Sequence, residues 1–254
     1  MPALARSGFQ KRHYDDLART RRGTRYGLSC GYDDRFDPAL LERRPLLRRA
    51  WTRLLDRIFG SSSVGSLLDL GSGTGYYWPL LARRCDRLVG VDVSRGMLEA
   101  GRRHRARHGD ELHQVVAGEG ARLPFATGSF DAALAVDSLH HAGELGPLVS
   151  ELGRVLRPGG TFAAVEPNVL NPVVLVAHAL PAEERGAIWP ASWIAAALAL
   201  QRSFDLVRSE PVTYVSGVGS EAALRFVEAV EPILGRPPLS ALALRRLLVA
   251  RRRP

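Results

Sequence analysis

The stretch that decides the fold is SLLDLGSGTGYYWPLLARRCDRLVGVDVS, residues 66–94. It begins with an apolar run through Asp69, after which glycines alternate with small polar residues over positions 71–75. A helical stretch and a second apolar run follow, and this second run ends at Asp92. A buried strand, a glycine loop, a helix and another buried strand are the parts of a nucleotide-binding βαβ unit.

Strands and helices continue to alternate beyond this stretch. Apolar runs typical of buried strands are Leu67–Leu70, Leu88–Val91, Val115–Ala117, Ala132–Val136 and Phe162–Val165. The helical stretches between them are Tyr76–Arg84, Arg95–His108 and Leu145–Leu156. Such alternation indicates a right-handed, doubly wound sheet. We therefore predict an α/β fold with a mostly parallel, seven-stranded, Rossmann-like sheet.

The flanking segments have different patterns. Residues 1–37 are polar and predict a short helix and a mobile arm, whereas Pro38–Phe59 carries an apolar helical stripe that Pro45 interrupts. After Glu166, the proline-edged apolar segment 169–200 predicts a helical insertion over the carboxyl edge of the sheet. The last predicted elements are a helix at Ala191–Arg202, a strand at Val212–Val215, a helix at Glu221–Val230 and a strand near Arg246–Ala250.

These boundaries divide the chain into four parts. They are an N-terminal helical arm or lid (1–60), a Rossmann-like nucleotide-binding core (61–168), a helical cap over the substrate (169–200) and C-terminal strands that complete the sheet (201–254). A length of 254 residues suits one large domain with an appendage, or two small domains.

The formal charge of +9 is unevenly distributed. Residues 1–60 contain 14 Lys/Arg against 7 Asp/Glu, and residues 245–254 add five arginines. A basic head and tail favour anionic partners, but an arginine-rich solvated surface has the same composition. The basic runs lack the aromatic-interleaved signature of an RNA-binding module, which argues against nucleic-acid binding.

Cysteines and apolar windows bear on location. Cys30 and Cys85 form neither a CxxC metal site nor a disulfide framework, which predicts a cytoplasmic protein without a metal. The N-terminus lacks the apolar core of a signal peptide. The most apolar window, Ala187–Leu200, is too short to span a bilayer.

The glycine loop discriminates between adenosine-containing ligands. A nicotinamide or flavin site requires GxGxxG, and its third glycine would fall at Tyr76. A buried carboxylate at Asp69 repels a diphosphate but stabilises an ammonium group. Asp92, at the end of the next strand, is placed to accept the hydroxyls of a ribose. S-adenosylmethionine (SAM) has an amino group, an adenosine and no phosphate, and it fits all three features.

Four motifs, in this order, carry a resemblance to a known family. They are LLDLGSGTG (67–75), VGVDVSRGMLEAGR (89–102), GEGARLPFATGSFDAALAVDSLHH (118–141) and ELGRVLRPGGTFAAVEPN (151–168). Through them the chain resembles the class I SAM-dependent methyltransferases of the type 11 small-molecule group. The resemblance implies SAM as the methyl donor and S-adenosylhomocysteine (SAH) as its product.

The same resemblance implies roles around the loop. Gly71, Gly73 and Gly75 would line the methionine part of SAM, and Asp69 would face its amino group. Asp92 would hold the ribose hydroxyls.

Further cofactor contacts are implied at the rim of the site. Val93 and Met97 would pack against the adenine, although Met97 equally fits a core position. Glu119 stands where the family usually has aspartate and would accept from the adenine amino group. Asp137 would lie beneath the sulfonium, and Tyr14 would reach the methionine carboxylate from a preceding helix.

Three residues are candidates for acid–base catalysis. Methyl transfer depends largely on positioning, but a hydroxyl or carbon acceptor also needs a base. His140 and His141 follow the fourth core strand, and Glu166 follows the fifth. Each also has a structural interpretation, as a cap, a packing residue or the end of a strand.

The candidate substrate contacts are cationic or polar. Arg25 and Arg35, with Tyr26 between them, would recognise an acidic substrate, and Asn168 is either a polar contact at the entrance or a simple turn residue. The apolar insertion would roof a pocket for an isoprenoid, quinone, lipid or polyketide-like body, or else form a homodimer contact.

Two other functions remain as alternatives. An RNA or protein methyltransferase would use the basic head, but the chain has Asp137-Ser138-Leu139-His140 where an amide-clamping Asn/Asp-Pro-Pro-Tyr motif would stand. A non-catalytic SAM-binding module would have the same glycine loop. The sequence leaves open which atom of the acceptor is methylated.

Overall fold

A seven-stranded sheet organises the part of the chain that a computed structural model describes, residues 3–20, 22–25, 28–31, 36–60, 63–107, 113–179, 192–212 and 221–254. The strands in chain order are β1 (Arg22–Arg25), β2 (Leu28–Gly31), β3 (Val64–Leu70), β4 (Cys85–Asp92), β5 (His113–Ala117), β6 (Phe130–Val136), β7 (Leu156–Pro167), β8 (Phe204–Val212) and β9 (Arg245–Arg252). The first two form a separate antiparallel pair.

The sheet has the order β5-β4-β3-β6-β7-β9-β8. Strands β3 to β7 pair in parallel, whereas β9 runs antiparallel between β7 and β8. The chain moves from β3 outward through β4 and β5, and then returns to the other side of β3 with β6. The loop after β3 therefore lies at the switch point, where ligands bind in open α/β sheets. The predicted mostly parallel, seven-stranded α/β fold is confirmed.

Helices flank both faces of this sheet. Their bounds are α1 (Ala3–Thr20), α2 (Ala39–Arg43), α3 (Pro45–Phe59), α4 (Trp78–Leu81), α5 (Arg95–Arg107), α6 (Leu145–Val155), α7 (Pro172–Ala179), α8 (Trp193–Leu200) and α9 (Glu221–Leu234), with 3-10 turns at Leu139–His141 and Leu239–Leu242. The interruption predicted at Pro45 is confirmed, because Pro45 begins α3 at a position where a missing N–H costs nothing.

Alternate residues of the central strand bury into two different cores. Leu67 belongs to a cluster with Trp51 and Leu55 of α3, on one face of the sheet. Leu68 belongs to a cluster with Leu152 of α6 and with other residues on the opposite face. Because both faces are covered, the strands read as continuous apolar runs, which is why the sequence located them.

Several boundaries differ from the predictions. The strand that follows β7 is β8, whose charged, half-exposed residues hide its pattern, and the predicted strand at Val212–Val215 lies beyond its first residue outside the described residues. The helix predicted at Tyr76–Arg84 is reduced to the single turn α4, because residues 73–77 form turns. In residues 1–37, where a short helix and a mobile arm were predicted, the structure describes an 18-residue helix and the β1–β2 pair.

The two described helices of the insertion after β7 lie in different parts of the fold. Helix α7 begins at the carboxyl edge of β7, whereas α8 buries Ala196 and Leu200 in the core on one face of the sheet. Of these two helices, α7 is the one at the edge where the cap over the substrate is predicted. Residues 180–191 lie outside the described part of the chain. Among the described helices, none combines the length and apolarity that crossing a bilayer requires.

Candidate active site

The glycine loop is held against the sheet by its backbone. The N–H groups of Gly71 and Ser72 both donate to the carbonyl oxygen of Val91, at 2.8 and 3.1 Å. Gly71 has φ of 74°, and a Cβ there would lie 2.5 Å from Cβ of Ser138. The first glycine is thus required by the protein itself, since both its conformation and its space exclude a side chain.

Gly73 differs from Gly71 in the space around it. Its φ of 54° is also left-handed, but among the described residues a Cβ there would meet only Cε of Met97, at 3.8 Å. The surface over Gly73 is therefore open, which is where a ligand can approach the backbone closely. Gly75, with φ of 78°, packs beside the indole of Trp78.

Asp69 lies buried below this loop, with 3% of its surface exposed. Nε1 of Trp78 donates to Oδ2 of Asp69 over 2.7 Å. Burial, with a smaller contribution from the charge of Asp92, raises the pKa of Asp69 to about 7. The carboxylate predicted to face an ammonium group therefore lies at the loop, and that contact stays a prediction. The hydrogen bond from Trp78 was not predicted from the sequence.

Asp92 closes the other side of the loop. Oδ2 of Asp92 accepts from the N–H of Gly73 and Oδ1 accepts from the N–H of Ser94, both over 2.8 Å. Burial, opposed by these hydrogen bonds and assisted by the charge of Asp15, raises the pKa of Asp92. The structure therefore brings the predicted ribose acid into direct contact with the glycine loop.

The residues expected around the adenine lie at the rim. Val93 is half-buried after Asp92, and Met97 is buried against Leu17 of α1 while its Cε approaches Gly73. Glu119 is exposed after β5. Met97 therefore lies beside the loop, and the contact of all three residues with an adenine stays a prediction.

Glu166 organises the turn at the end of β6. Its carboxylate is 1% exposed and accepts from the backbone N–H groups of Ser138, Leu139 and His140, at 2.9 to 3.3 Å. Nδ1 of His140 lies 2.6 Å from Oε2 of Glu166. With so many donors on one carboxylate, the predicted catalytic role of Glu166 becomes the orientation of His140.

His141 faces the N-terminal helix. Nε2 of His141 lies 3.0 Å from the hydroxyl of Tyr14, and the rings of His140 and His141 are 4.1 Å apart. His178 of α7 packs edge-on against His140, and no sequence pattern had drawn attention to it. Tyr14 therefore contacts the 3-10 turn Leu139–His141, which we call the histidine turn. A contact of Tyr14 with the methionine carboxylate stays a prediction.

Asp137 has an ion pair that the sequence did not indicate. Its φ of 49° is unusual for a residue with a side chain. Arg245, at the start of β9, donates from Nε and Nη2 to the carboxylate of Asp137, with a shortest distance of 2.6 Å. The side chain of Asp137 is therefore engaged by Arg245, and a position of Asp137 beneath the sulfonium stays a prediction.

Of the predicted substrate contacts, Asn168 is the one whose side chain the structure describes. Asn168 is fully buried, and its Nδ2 donates to the carbonyl oxygens of Ala241 and Ala243 at 2.9 and 3.0 Å. The expected entrance contact is therefore corrected to an anchor for the 3-10 turn at Leu239–Leu242. Arg25 is the last residue of β1, and Tyr26 and Arg35 lie outside the described residues.

Within the described ranges, no group of three or more His, Cys, Asp or Glu residues is placed to hold a metal ion. The chemical resources of the site are a buried carboxylate at Asp69, a half-buried carboxylate at Asp92, the backbone loop at the end of β3, and two histidines that follow β6. This arrangement suits a cationic, adenosine-containing ligand next to an acceptor that gives up a proton.

Comparisons with known proteins agree with this geometry. Residues 68–164 match the type 11 methyltransferase domain model. The demethylmenaquinone methyltransferase of Beutenbergia cavernae is 35% identical over 153 residues, which cover 60% of this chain and 55% of the relative. The ubiquinone/menaquinone biosynthesis C-methyltransferase UbiE of Hahella chejuensis is 32% identical over 142 residues, 52% of this chain and 55% of the relative.

The fold has relatives among solved structures. The N-methyltransferase NodS of Bradyrhizobium japonicum, solved with SAH, superposes with a TM-score of 0.59 at 18% identity, over 85% of this chain and 92% of that one. The chain spans about half the length of the curated quinone methyltransferases that it matches. Residues 68–164 of this chain therefore contain a methyltransferase domain of the type 11 family.

Proposed function

We propose that this chain is a SAM-dependent methyltransferase whose acceptor is a small, apolar and anionic metabolite of the quinone-precursor class. The observation that supports it most is the pair of carboxylates at the glycine loop, the buried Asp69 and the half-buried Asp92, whose pKa values are both raised. Two acids that share a desolvated site favour a positively charged ligand, which lowers both pKa values. A diphosphate-bearing dinucleotide would add negative charge at the same place.

The residues present fit SAM. The open backbone at Gly73 leaves room for a close ligand, Asp69 lies where an ammonium group gains from a carboxylate, and Asp92 lies at the ribose end. Val93, Met97 and Glu119 are the proposed adenine contacts. When bound, SAM supplies a methyl group on a cationic sulfonium, which is already activated for displacement.

The proton of the acceptor is proposed to pass to the histidine turn. Because Nδ1 of His140 faces the carboxylate of Glu166, that nitrogen holds the proton and Nε2 is the basic atom. His141 Nε2 is engaged with Tyr14 on the other side of the same turn. We expect the variant E166Q to lower kcat at least about tenfold with little change in SAH affinity. An unchanged kcat would remove the pair from the mechanism.

The acceptor class is supported by the surroundings of this turn. Helix α7 packs His178 against His140 and carries Val173 and Val176 exposed on its surface, so that an apolar helix flanks the histidines. The relatives named above are a demethylmenaquinone methyltransferase and a ubiquinone/menaquinone biosynthesis C-methyltransferase, and their names support an acceptor of the quinone class. Arg25 and Arg35 of the basic arm are proposed to bind the anionic end. An unchanged KM for the acceptor in R25A and R35A would contradict that role.

The test is a search for the methylated product. Purified protein is incubated with SAM that carries a labelled methyl group, once with a demethylated naphthoquinol and once with a metabolite extract, and products that gain one methyl group are identified by mass spectrometry. We expect the label in a quinol-like product. SAM binding without label transfer in either reaction would favour a non-catalytic binding module, and transfer to RNA or protein would contradict the small-molecule acceptor.

A further inference from the structure

Helix α1 crosses the site through two consecutive residues. Tyr14 contacts His141, which follows β6, while Asp15 contacts the loop that follows β4. Strands β4 and β6 are the two neighbours of β3, whose end carries the glycine loop. Helix α1 therefore spans the loop from one side to the other.

The Asp15 contact is a cap supplied from another helix. Oδ1 of Asp15 accepts from the hydroxyl of Ser94 over 2.7 Å and from the N–H of Gly96 over 2.9 Å. Gly96 lies in the first turn of α5, where N–H groups have no partner within the helix. A Cβ at Gly96 would lie 3.1 Å from Cα of Asp15, so the glycine allows the two helices to touch.

Asp15 is two hydrogen bonds away from the proposed ribose acid. Ser94 donates its hydroxyl to Asp15 and its backbone N–H to Oδ1 of Asp92. The same hydroxyl of Ser94 accepts from the N–H of Met97 over 3.1 Å. The conformation of residues 92–97, which carries the ribose acid and both proposed adenine contacts, is thus fixed from α1.

Resting on the proposed function, we propose that Asp15 is a positioning residue that holds the ribose- and adenine-binding loop in shape and joins it to α1. It does so without touching the cofactor, through Ser94 and Gly96. Loss of the Asp15 carboxyl group loosens the loop and weakens SAM and SAH together, while the chemical step at the histidine turn is unaffected.

The variants separate this role from general stability. D15A removes the two contacts to Oδ1 and the ion pair with Lys11, D15N retains an oxygen at the Oδ1 position, and D16A is the matched control. Asp16 is the next residue of the same helix, and its exposed carboxylate pairs with Arg19, whereas its carbonyl oxygen accepts from the hydroxyl of Thr20. SAH affinity is measured by titration calorimetry well below the melting temperature of each variant, and the KM for SAM and kcat are measured by label transfer.

We expect D15A to weaken SAH binding by roughly 5- to 20-fold, in line with the value of a helix cap, and to raise the KM for SAM with kcat nearly unchanged. D15N restores most of the affinity, and D16A binds as the wild type does. The double variant D15A/S94A should weaken binding by less than the product of the two single effects, because both changes remove the contact between Asp15 and Ser94.

Two results would overturn the inference. One is wild-type SAH affinity in D15A, whether or not its melting temperature falls. The other is a D15N protein as weak as D15A, which would assign the effect to charge and not to the acceptor oxygen. If the wild-type protein itself did not bind SAH, the proposed function would fail instead.

Discussion

Asp69 shows at the scale of a single residue how function opposes stability. Its carboxyl group is buried beside Trp78, and burial together with Asp92 raises its pKa to about 7, against a value near 3.9 in an unfolded chain. Between these two values the folded protein keeps a proton that the unfolded chain has released. The stability of the ligand-free protein therefore falls as the pH rises from about 4 to about 7, and it levels off above that range.

We predict that D69N removes this pH-dependent cost. The amide oxygen still accepts from Trp78, and no charge is buried. The stability of D69N relative to wild type should increase by about 3 kcal/mol between pH 5 and pH 8, measured by urea unfolding without ligand. SAH affinity should fall about tenfold, because the ammonium group loses its carboxylate. A stability difference that does not change with pH would contradict a raised pKa for Asp69.

Substitution of Gly71 and of Gly73 by alanine is predicted to have two different effects. In G71A the new Cβ collides with Ser138, so the variant should lose more than about 2 kcal/mol of stability. In G73A the Cβ enters open space, so only the left-handed backbone costs about 1 kcal/mol. Thermal unfolding measures both effects. Although G73A stays folded, it should lose SAH affinity, and full affinity in G73A would show that no ligand approaches this backbone.

Among the elements, those buried on both sides were predictable and those at the edges were not. Strands β3 and β4 contain continuous buried apolar runs, and Asp69 and Asp92 stand where these two runs end. Strand β8 has no such pattern, because it is an edge strand with charged, half-exposed residues.

The hydrogen-bond and ion-pair partners of the site residues could not be predicted from the sequence either. Trp78, Asp15 and Arg245 each meet a site residue because separate elements pack together, and short-range spacing contains no sign of that. Asn168 is a residue that the sequence suggested as a substrate contact, although its partners belong to the fold. It follows a strand end, as functional residues often do, yet its amide is used within the fold.

We predict that N168A damages the fold and leaves the site intact. The change leaves the carbonyl oxygens of Ala241 and Ala243 with a lost donor in a buried place, at a cost of about 2–3 kcal/mol. The melting temperature should fall by roughly 5–10 °C, with Q201A, an exposed amide on a helix end, as the control. SAH affinity and the acceptor KM should not change. Wild-type stability with a raised acceptor KM would restore the substrate contact predicted from sequence.

For the whole molecule, the sheet is a platform and the functional groups reach its carboxyl edge from both ends of the chain. Helix α1 brings Tyr14 and Asp15 from the N-terminal side, and β9 brings Arg245 from the C-terminal side to Asp137. The matched domain at residues 68–164 contains neither of these contributors. The segments outside it are therefore where this chain is expected to differ from its relatives in acceptor and in cofactor affinity.

The central claim is that the loop between Asp69 and Asp92 binds an adenosine ligand that has an ammonium group and no phosphate, and not a dinucleotide. The most direct measurement is calorimetric titration of the wild-type protein with SAH and, separately, with NADH, at pH 8 and at pH 6. We predict one SAH per chain, weaker binding at pH 6 because Asp69 takes up a proton below a pKa of about 7, and no heat from NADH. Firm binding of NADH without binding of SAH would contradict the account.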